Sequence, residues 1–105
     1  MNLTADYKIA AVMILKTLAI SWFRREDWAR WRAIDPDFQP DYSHWLLRAE
    51  LAFERHQSPL YVLEKVIIDP DEFLAWSRLN GGKVDTQARA AFAAIQLGKK
   101  HSAVH

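Results

Sequence analysis

The sequence contains no cysteine, which excludes disulfide bonds and thiolate metal sites. It also lacks a glycine-rich phosphate loop, a G-x-S-x-G elbow and a pair of histidines at the H-x-x-x-H spacing of a metal site. We therefore expect no cofactor, no metal ion and no catalytic residue. An enzyme or a small-ligand protein is the alternative, and it would need a pocket that holds His44 or a carboxylate with a perturbed pKa.

A strong excess of either charge is also missing, since 14 basic side chains accompany 13 acidic ones and the formal net charge is +1. Charge alone therefore does not predict nucleic-acid binding. The local concentration of basic side chains around Trp28 and Trp31 comprises Arg24, Arg25, Arg30 and Arg32. Arginines on phosphates and indoles stacked on bases would make this a nucleic-acid surface. We favour the interpretation in which the indoles pack inward and the arginines form a solvated face.

No hydrophobic run reaches the roughly 20 residues that a membrane-spanning helix needs. The most apolar stretch, Ile9 to Ile20, is shorter and contains Lys16. Charged residues precede this stretch and no small-x-small cleavage site follows it, so a secretion signal fits poorly. We expect a cytoplasmic protein that does not contact a membrane. The stretch is predicted to form a buried helix from Thr4 to about Leu18, with a strand over Ile14 to Phe23 as the alternative.

A helix that is apolar nearly all round must be covered by its own domain or by a second copy of the chain. The apolar N-terminal segment 1–19 and its flank therefore provide a candidate interaction surface, formed by Ile9, Val12, Ile14, Leu15 and Trp22. From this surface we predict a protein-interaction module that self-associates, with a homodimer or another protein as the partner. Met13 offers an alternative start of the chain, which would leave residues 1–12 outside the folded domain.

Aromatic residues are plentiful, with five Trp, five Phe and three Tyr, and half of all residues are hydrophobic. This composition is typical of an ordered globular protein. We predict a single α+β domain over residues 1–98 that is mostly helical and has one or two short strands. The last helix is expected to end at Gly98, and residues 99–105 are expected to form a disordered tail.

The best-defined local feature is a strand that turns into a helix at Asp69. The β-branched run from Leu60 to Ile68 predicts the strand, which needs a pairing partner in segment 14–23 or in another subunit. Asp69 is placed to cap the helix, and Pro70 suits its first position. The sequence Asn-Gly-Gly at 80–82 is typical of a helix end. Trp76, within this helix, is expected to be buried.

Another helix is predicted from Tyr42 to about Arg55, with Asp41 as its cap and an apolar stripe typical of a core helix. The acidic linker before it lacks the glycine and the glutamate of a calcium-binding EF-hand loop. We interpret His44 and His56, near the two ends of this helix, as structural residues.

Four segments of the sequence form a pattern: Ile20-Ser21-Trp22-Phe23 with Arg25-Glu26-Asp27-Trp28, Tyr42-Ser43-His44-Trp45-Leu46, Ile68-Asp69-Pro70-Asp71-Glu72-Phe73-Leu74-Ala75-Trp76, and Ala88-Arg89-Ala90-Ala91-Phe92-Ala93-Ala94. Together they resemble a family of small uncharacterised bacterial proteins, and the resemblance covers about Ile20 to Leu97. It implies a bacterial origin and a cytoplasmic location, and it adds no catalytic residue. The residues before Ile20 depart from the family's pattern.

Overall fold

The computed structural model describes residues 16–102. Two strands and four helices follow one another in this range: β1 (Lys16–Trp22), α1 (Trp28–Ile34), α2 (Tyr42–Arg55), β2 (Tyr61–Ile67), α3 (Pro70–Leu79) and α4 (Thr86–Ser102). A single 3-10 turn, Arg25–Asp27, leads into α1. This architecture confirms the predicted α+β domain, which is mostly helical and has two short strands.

The two strands form a parallel sheet, in register from Lys16 opposite Tyr61 to Trp22 opposite Ile67. The pairing confirms that β2 finds its partner in segment 14–23. It also corrects the predicted N-terminal helix, because residues 16–18 are part of a strand, while residues 1–15 lie outside the described residues. The main-chain N–H and C=O groups of β2 need hydrogen-bond partners. A neighbouring strand provides them, whereas a helix has already paired its own main-chain groups internally.

The helices α2 and α4 cover opposite faces of the sheet. On one face, the ring of Trp22 lies 5.2 Å from that of Trp45 and 6.3 Å from that of Phe53, both on α2. On the other face, the Glu64 carboxylate accepts a hydrogen bond of 2.8 Å from Lys100 near the end of α4. Both faces of such a narrow sheet are therefore partly protected from water.

The core is an aromatic cluster centred on Phe23, which directly follows β1. Its ring centroid lies 4.9 Å from that of Trp31, 5.1 Å from that of Phe38 and 5.2 Å from that of Trp45. Trp28 and Trp31 are both buried, so their indoles pack inward as we favoured from the sequence. Pairs of rings with such tilted and edge-on contacts stabilise a core beyond the area that they bury.

Local signals place α3 as predicted. One carboxylate oxygen of Asp69 accepts hydrogen bonds from the main-chain N–H groups of Asp71 and Glu72, at 2.9 and 3.0 Å. Gly81 and Gly82 adopt φ values of +102° and +75° after the last turn. The prediction that Trp76 is buried is wrong, because it is only partly covered. Other side chains of α3, those of Phe73 and Ser77, occupy the buried positions instead.

The helix α4 extends beyond Gly98 to Ser102, so residues 99–102 are helical and do not belong to a disordered tail. Lys100 and His101, in its last turns, both contact the Glu64 carboxylate, at 2.8 and 3.3 Å. These contacts with β2 accompany the continuation of the helix past the glycine. Residues 103–105 lie outside the described residues.

The helix α2 is less buried than its apolar stripe predicted: Tyr42 and Trp45 pack against the core, but none of the residues of the helix is fully buried. Leu47 and Leu51 on its outer side are 60% and 54% exposed. On its inner side, Ala49 and Ala52 line a pocket of about 290 Å³ between the helix and the sheet. Small side chains leave this space unfilled, and two strands are too few to cover a helix of this length.

Candidate functional site

The outer edge of β1 is the candidate functional site. The N–H of Ile68 donates to the carbonyl of Trp22 at 3.1 Å, so the main-chain groups of Trp22 face β2. Main-chain groups point to alternate sides along a strand, and those of Thr17, Ala19 and Ser21 therefore face away from β2. Within residues 16–102, no strand pairs with this side of β1.

This edge opens into a cleft of about 430 Å³. Its floor is formed by β1 residues, including Ala19 and Ser21. Its walls come from three parts of the chain and include Phe38 and Gln39 of the linker, Trp45 of α2, and Thr86, Arg89 and Ala90 of α4. Because α2 and α4 lie on opposite faces of the sheet, the cleft spans both faces at the edge. An added strand would need this arrangement, since its side chains alternate between the two faces.

Arg89 fixes the linker wall of the cleft. Its guanidinium donates to the Asp35 carboxylate at 2.7 Å, to the Val84 carbonyl at 2.6 Å and to the Thr86 hydroxyl at 3.0 Å. The same group lies 4.3 Å from the centre of the Phe38 ring. The hydrogen bond from Arg89 lowers the pKa of Asp35, although partial burial opposes the shift. The wall is therefore held by a shielded ion pair and a cation–π contact.

The two outer edges of the sheet differ in charge. From Thr17 to Trp22, β1 contains no charged residue and no proline, whereas Glu64 and Lys65 stand in the middle of β2. Charged side chains and prolines on an edge strand discourage the pairing of another strand. Apart from Lys16 at its N-terminal end, the β1 edge therefore lacks the features that would prevent strand addition, and the β2 edge has them in its middle.

The open part of the β1 edge is short. At its C-terminal end, the Tyr42 hydroxyl donates to the Phe23 carbonyl at 2.8 Å, so that main-chain acceptor already has a partner. The stretch whose outward groups have no strand partner among the described residues thus runs from Thr17 to Ser21.

Of the candidate interaction surface predicted from the sequence, Trp22 alone is among the described residues. Ile9, Val12, Ile14 and Leu15 lie outside the described residues. Trp22 is only 8% exposed and is packed under α2, so it is not available on the surface. The edge residues Thr17, Ala19 and Ser21 were missed by sequence reasoning. The absence of charge and the alternation of these small residues with Leu18 and Ile20 are typical of a strand that can accept a partner. The sequence does not show, however, which side of a strand stays unpaired.

The candidate basic surface is exposed but only partly free of acids. Arg24 pairs with Asp27 at 2.8 Å and with Asp69 at 3.5 Å, and Arg30 pairs with Asp71. The guanidinium of Arg25 lies over the ring of Tyr42 at 4.7 Å, and Arg32 is exposed. Since acids at the start of α3 balance two of the four arginines and the indoles are buried, this surface resembles a solvated face more than a nucleic-acid site.

The remaining candidates do not assemble into a chemical site. His44 and His56 are both exposed, near the two ends of α2. Among residues 16–102, no group of three His, Asp or Glu side chains could hold a metal ion. In the same range, none of the helices has the length and apolar character needed to cross a membrane.

The free edge of β1 and its cleft thus form the most distinctive site of the described chain. Comparison of the chain with models of protein families, with curated proteins and with solved structures gives no match.

Proposed function

We propose that this protein is a non-catalytic interaction module that self-associates by adding a strand to the outer edge of β1. The observation that carries the proposal is the stretch from Thr17 to Ser21, an uncharged edge that no other strand within residues 16–102 pairs with and that forms the floor of an open cleft. In strand addition, main-chain hydrogen bonds supply affinity, and pockets on the two faces of the sheet accept alternate side chains.

Two contributions favour such an addition. The outward main-chain groups of Thr17, Ala19 and Ser21 would exchange water for regular ladder partners. The added strand would also remove apolar cleft walls from water, which favours association. Leu18, next to the edge, is 41% exposed and would gain cover as well.

Light scattering across a dilution series tests the proposal on the full chain and on Ala19→Pro. The N–H of Ala19 faces outward, so proline removes an edge donor and leaves the β1–β2 ladder intact. We expect a dimer for the natural sequence and a monomer for Ala19→Pro, with the same far-UV circular dichroism. Ile20→Pro is the matched control, because its N–H faces β2 and its loss should disrupt the fold.

A second variant covers the case in which Ala19→Pro does not fold. Leu18→Lys places a charge beside the edge without changing the main chain, and it should also yield a folded monomer. A natural chain that stays monomeric at every concentration would overturn the proposal.

We further propose that the protein works in the bacterial cytoplasm. The resemblance of residues 20–97 to a family of small bacterial proteins supports this location. Fractionation of bacterial cells that express the full chain tests it, and recovery of the protein in the periplasmic or secreted fraction would contradict it.

A further inference from the structure

We infer that the added strand is β1 of a second copy, which runs antiparallel to the first with Ala19 at the two-fold axis. This inference rests on the proposed function and specifies its partner and its register. The resulting sheet would have four strands in the order β2, β1, β1 of the partner subunit and β2 of the partner subunit. Such an interface is isologous and closes on itself as a dimer.

The register follows from the length of the open edge. The Tyr42 hydroxyl already donates to the Phe23 carbonyl. The stretch whose outward main-chain groups can pair with an added strand therefore runs from Thr17 to Ser21, and its midpoint is Ala19. An antiparallel pair centred on Ala19 uses every outward main-chain group of this stretch. The residues with outward groups also face one another, as hydrogen-bonded pairs require.

Side chains in this register match in chemistry. Thr17 lies opposite the partner's Ser21, which pairs two hydroxyl side chains, and Leu18 lies opposite the partner's Ile20, which pairs two apolar ones. At the midpoint, alanine faces alanine and provides room for close approach. Directly opposed pairs of like polarity stabilise antiparallel strands, and no pair in this register opposes two like charges.

The helix α4 covers the two ends of the sheet unequally. This difference favours a second copy of the chain as the source of the added strand. Thr86 and Ala90, near the start of α4, line the cleft at the C-terminal half of β1, while Lys100 near its end contacts Glu64 of β2. The helix therefore crosses the sheet diagonally and leaves Val62, opposite Thr17, 49% exposed. In an antiparallel dimer, the covered end of each copy lies beside the uncovered end of the other. The start of α4 in each copy would thus lie beside the less covered N-terminal half of β1 in the other.

Disulfide cross-linking of the full chain tests the register, and the absence of natural cysteines gives a clean background. Two residues in a hydrogen-bonded antiparallel pair have Cα atoms about 5.5 Å apart, within the range that a disulfide bridges. Mild oxidation of Ala19→Cys should therefore convert most of the protein to a covalent dimer with unchanged circular dichroism. Thr17→Cys is the matched control: its two copies would lie about 14 Å apart and should not cross-link.

A mixture of Thr17→Cys and Ser21→Cys chains should yield the mixed covalent dimer, because these positions oppose each other. A dimer by light scattering that shows no preference for Ala19→Cys over Thr17→Cys would overturn the register and leave self-association standing. A monomer that shows no cross-link at either position would overturn both, as expected if residues 1–15 of the same chain cover the edge.

Discussion

Arg89 on α4 and Asp35 at the end of α1 form an ion pair of 2.7 Å across 54 residues of sequence. Their side chains are only 10% and 14% exposed. Because both groups are shielded from water, each depends on the other as its counter-charge. The pair joins the linker, which forms one wall of the cleft, to the helix that forms another.

Asp35→Asn should lower the free energy of unfolding by about 3 kcal/mol, because it leaves a shielded cation without its counter-charge. Urea denaturation measures the change. Asp37→Asn is the matched control, since Asp37 is exposed and has no ion pair among the described residues. Equal effects of the two substitutions would contradict the assigned role of the ion pair. Replacing both partners, with Asp35→Leu and Arg89→Met, should recover part of the loss.

Stability should decrease in acid in a way that depends on Asp35 and Glu64. Hydrogen bonds from Arg89 and Lys100 lower the pKa values of these two carboxyl groups in the folded state. The stabilisation is therefore complete above the unfolded pKa, near 4, and is lost as the pH falls through the folded pKa. Thermal unfolding from about pH 6 to pH 2 should show this decline, with a shallower slope for Asp35→Asn. Identical slopes for the two proteins would exclude Asp35 as a contributor.

Phe73→Ala should cost about 4 kcal/mol, because the ring is fully buried between those of Trp31 and Phe92, at 5.4 and 5.7 Å. Trp76→Ala in the same helix should cost less, since Trp76 is only partly buried. Chemical denaturation of both variants gives the comparison. A larger loss of unfolding free energy for Trp76→Ala than for Phe73→Ala would show that Phe73 is not the centre of the packing of this helix.

Substitution by alanine should change the stability of the fold in opposite directions at two glycines, Gly98 and Gly82. Gly98 lies inside α4 with no atom within 4 Å of an added Cβ, so Gly98→Ala should stabilise the fold by about 0.8 kcal/mol. Gly82 has equal space but a φ of +75°, and Gly82→Ala should destabilise by about 1 kcal/mol. Melting temperatures report both changes, and a stabilising Gly82→Ala would show that this turn tolerates a different backbone conformation.

Features set by neighbouring residues were predictable from the sequence. The caps at Asp41 and Asp69 and the end of α3 at Gly81 and Gly82 depend on contacts within a few residues. The strand β2 and the inward packing of Trp28 and Trp31 followed from residue type and spacing. Such signals act over one helical turn or one strand, which is the range that a sequence pattern describes.

Features set by distant residues were not predictable. The apolar stripe of α2 gave no indication that a sheet of only two strands would leave it half-exposed. Gly98 was expected to end α4, but contacts with Glu64, more than thirty residues earlier in the chain, accompany its continuation. The free edge of β1 likewise depends on which strand pairs with which, and this is a property of the whole topology.

The parallel pairing of β1 with β2 also sets an order for folding during synthesis. When β1 leaves the ribosome, the residues that will pair with it, Tyr61–Ile67, have not yet been made, and both α1 and α2 emerge in between. At that stage β1 has no pairing strand among residues 16–102 on either edge, and exposed strand edges of this kind promote premature association of neighbouring nascent chains. Arrival of β2 then closes one of these edges within the same chain, so the time between the synthesis of the two strands sets how long that edge stays open.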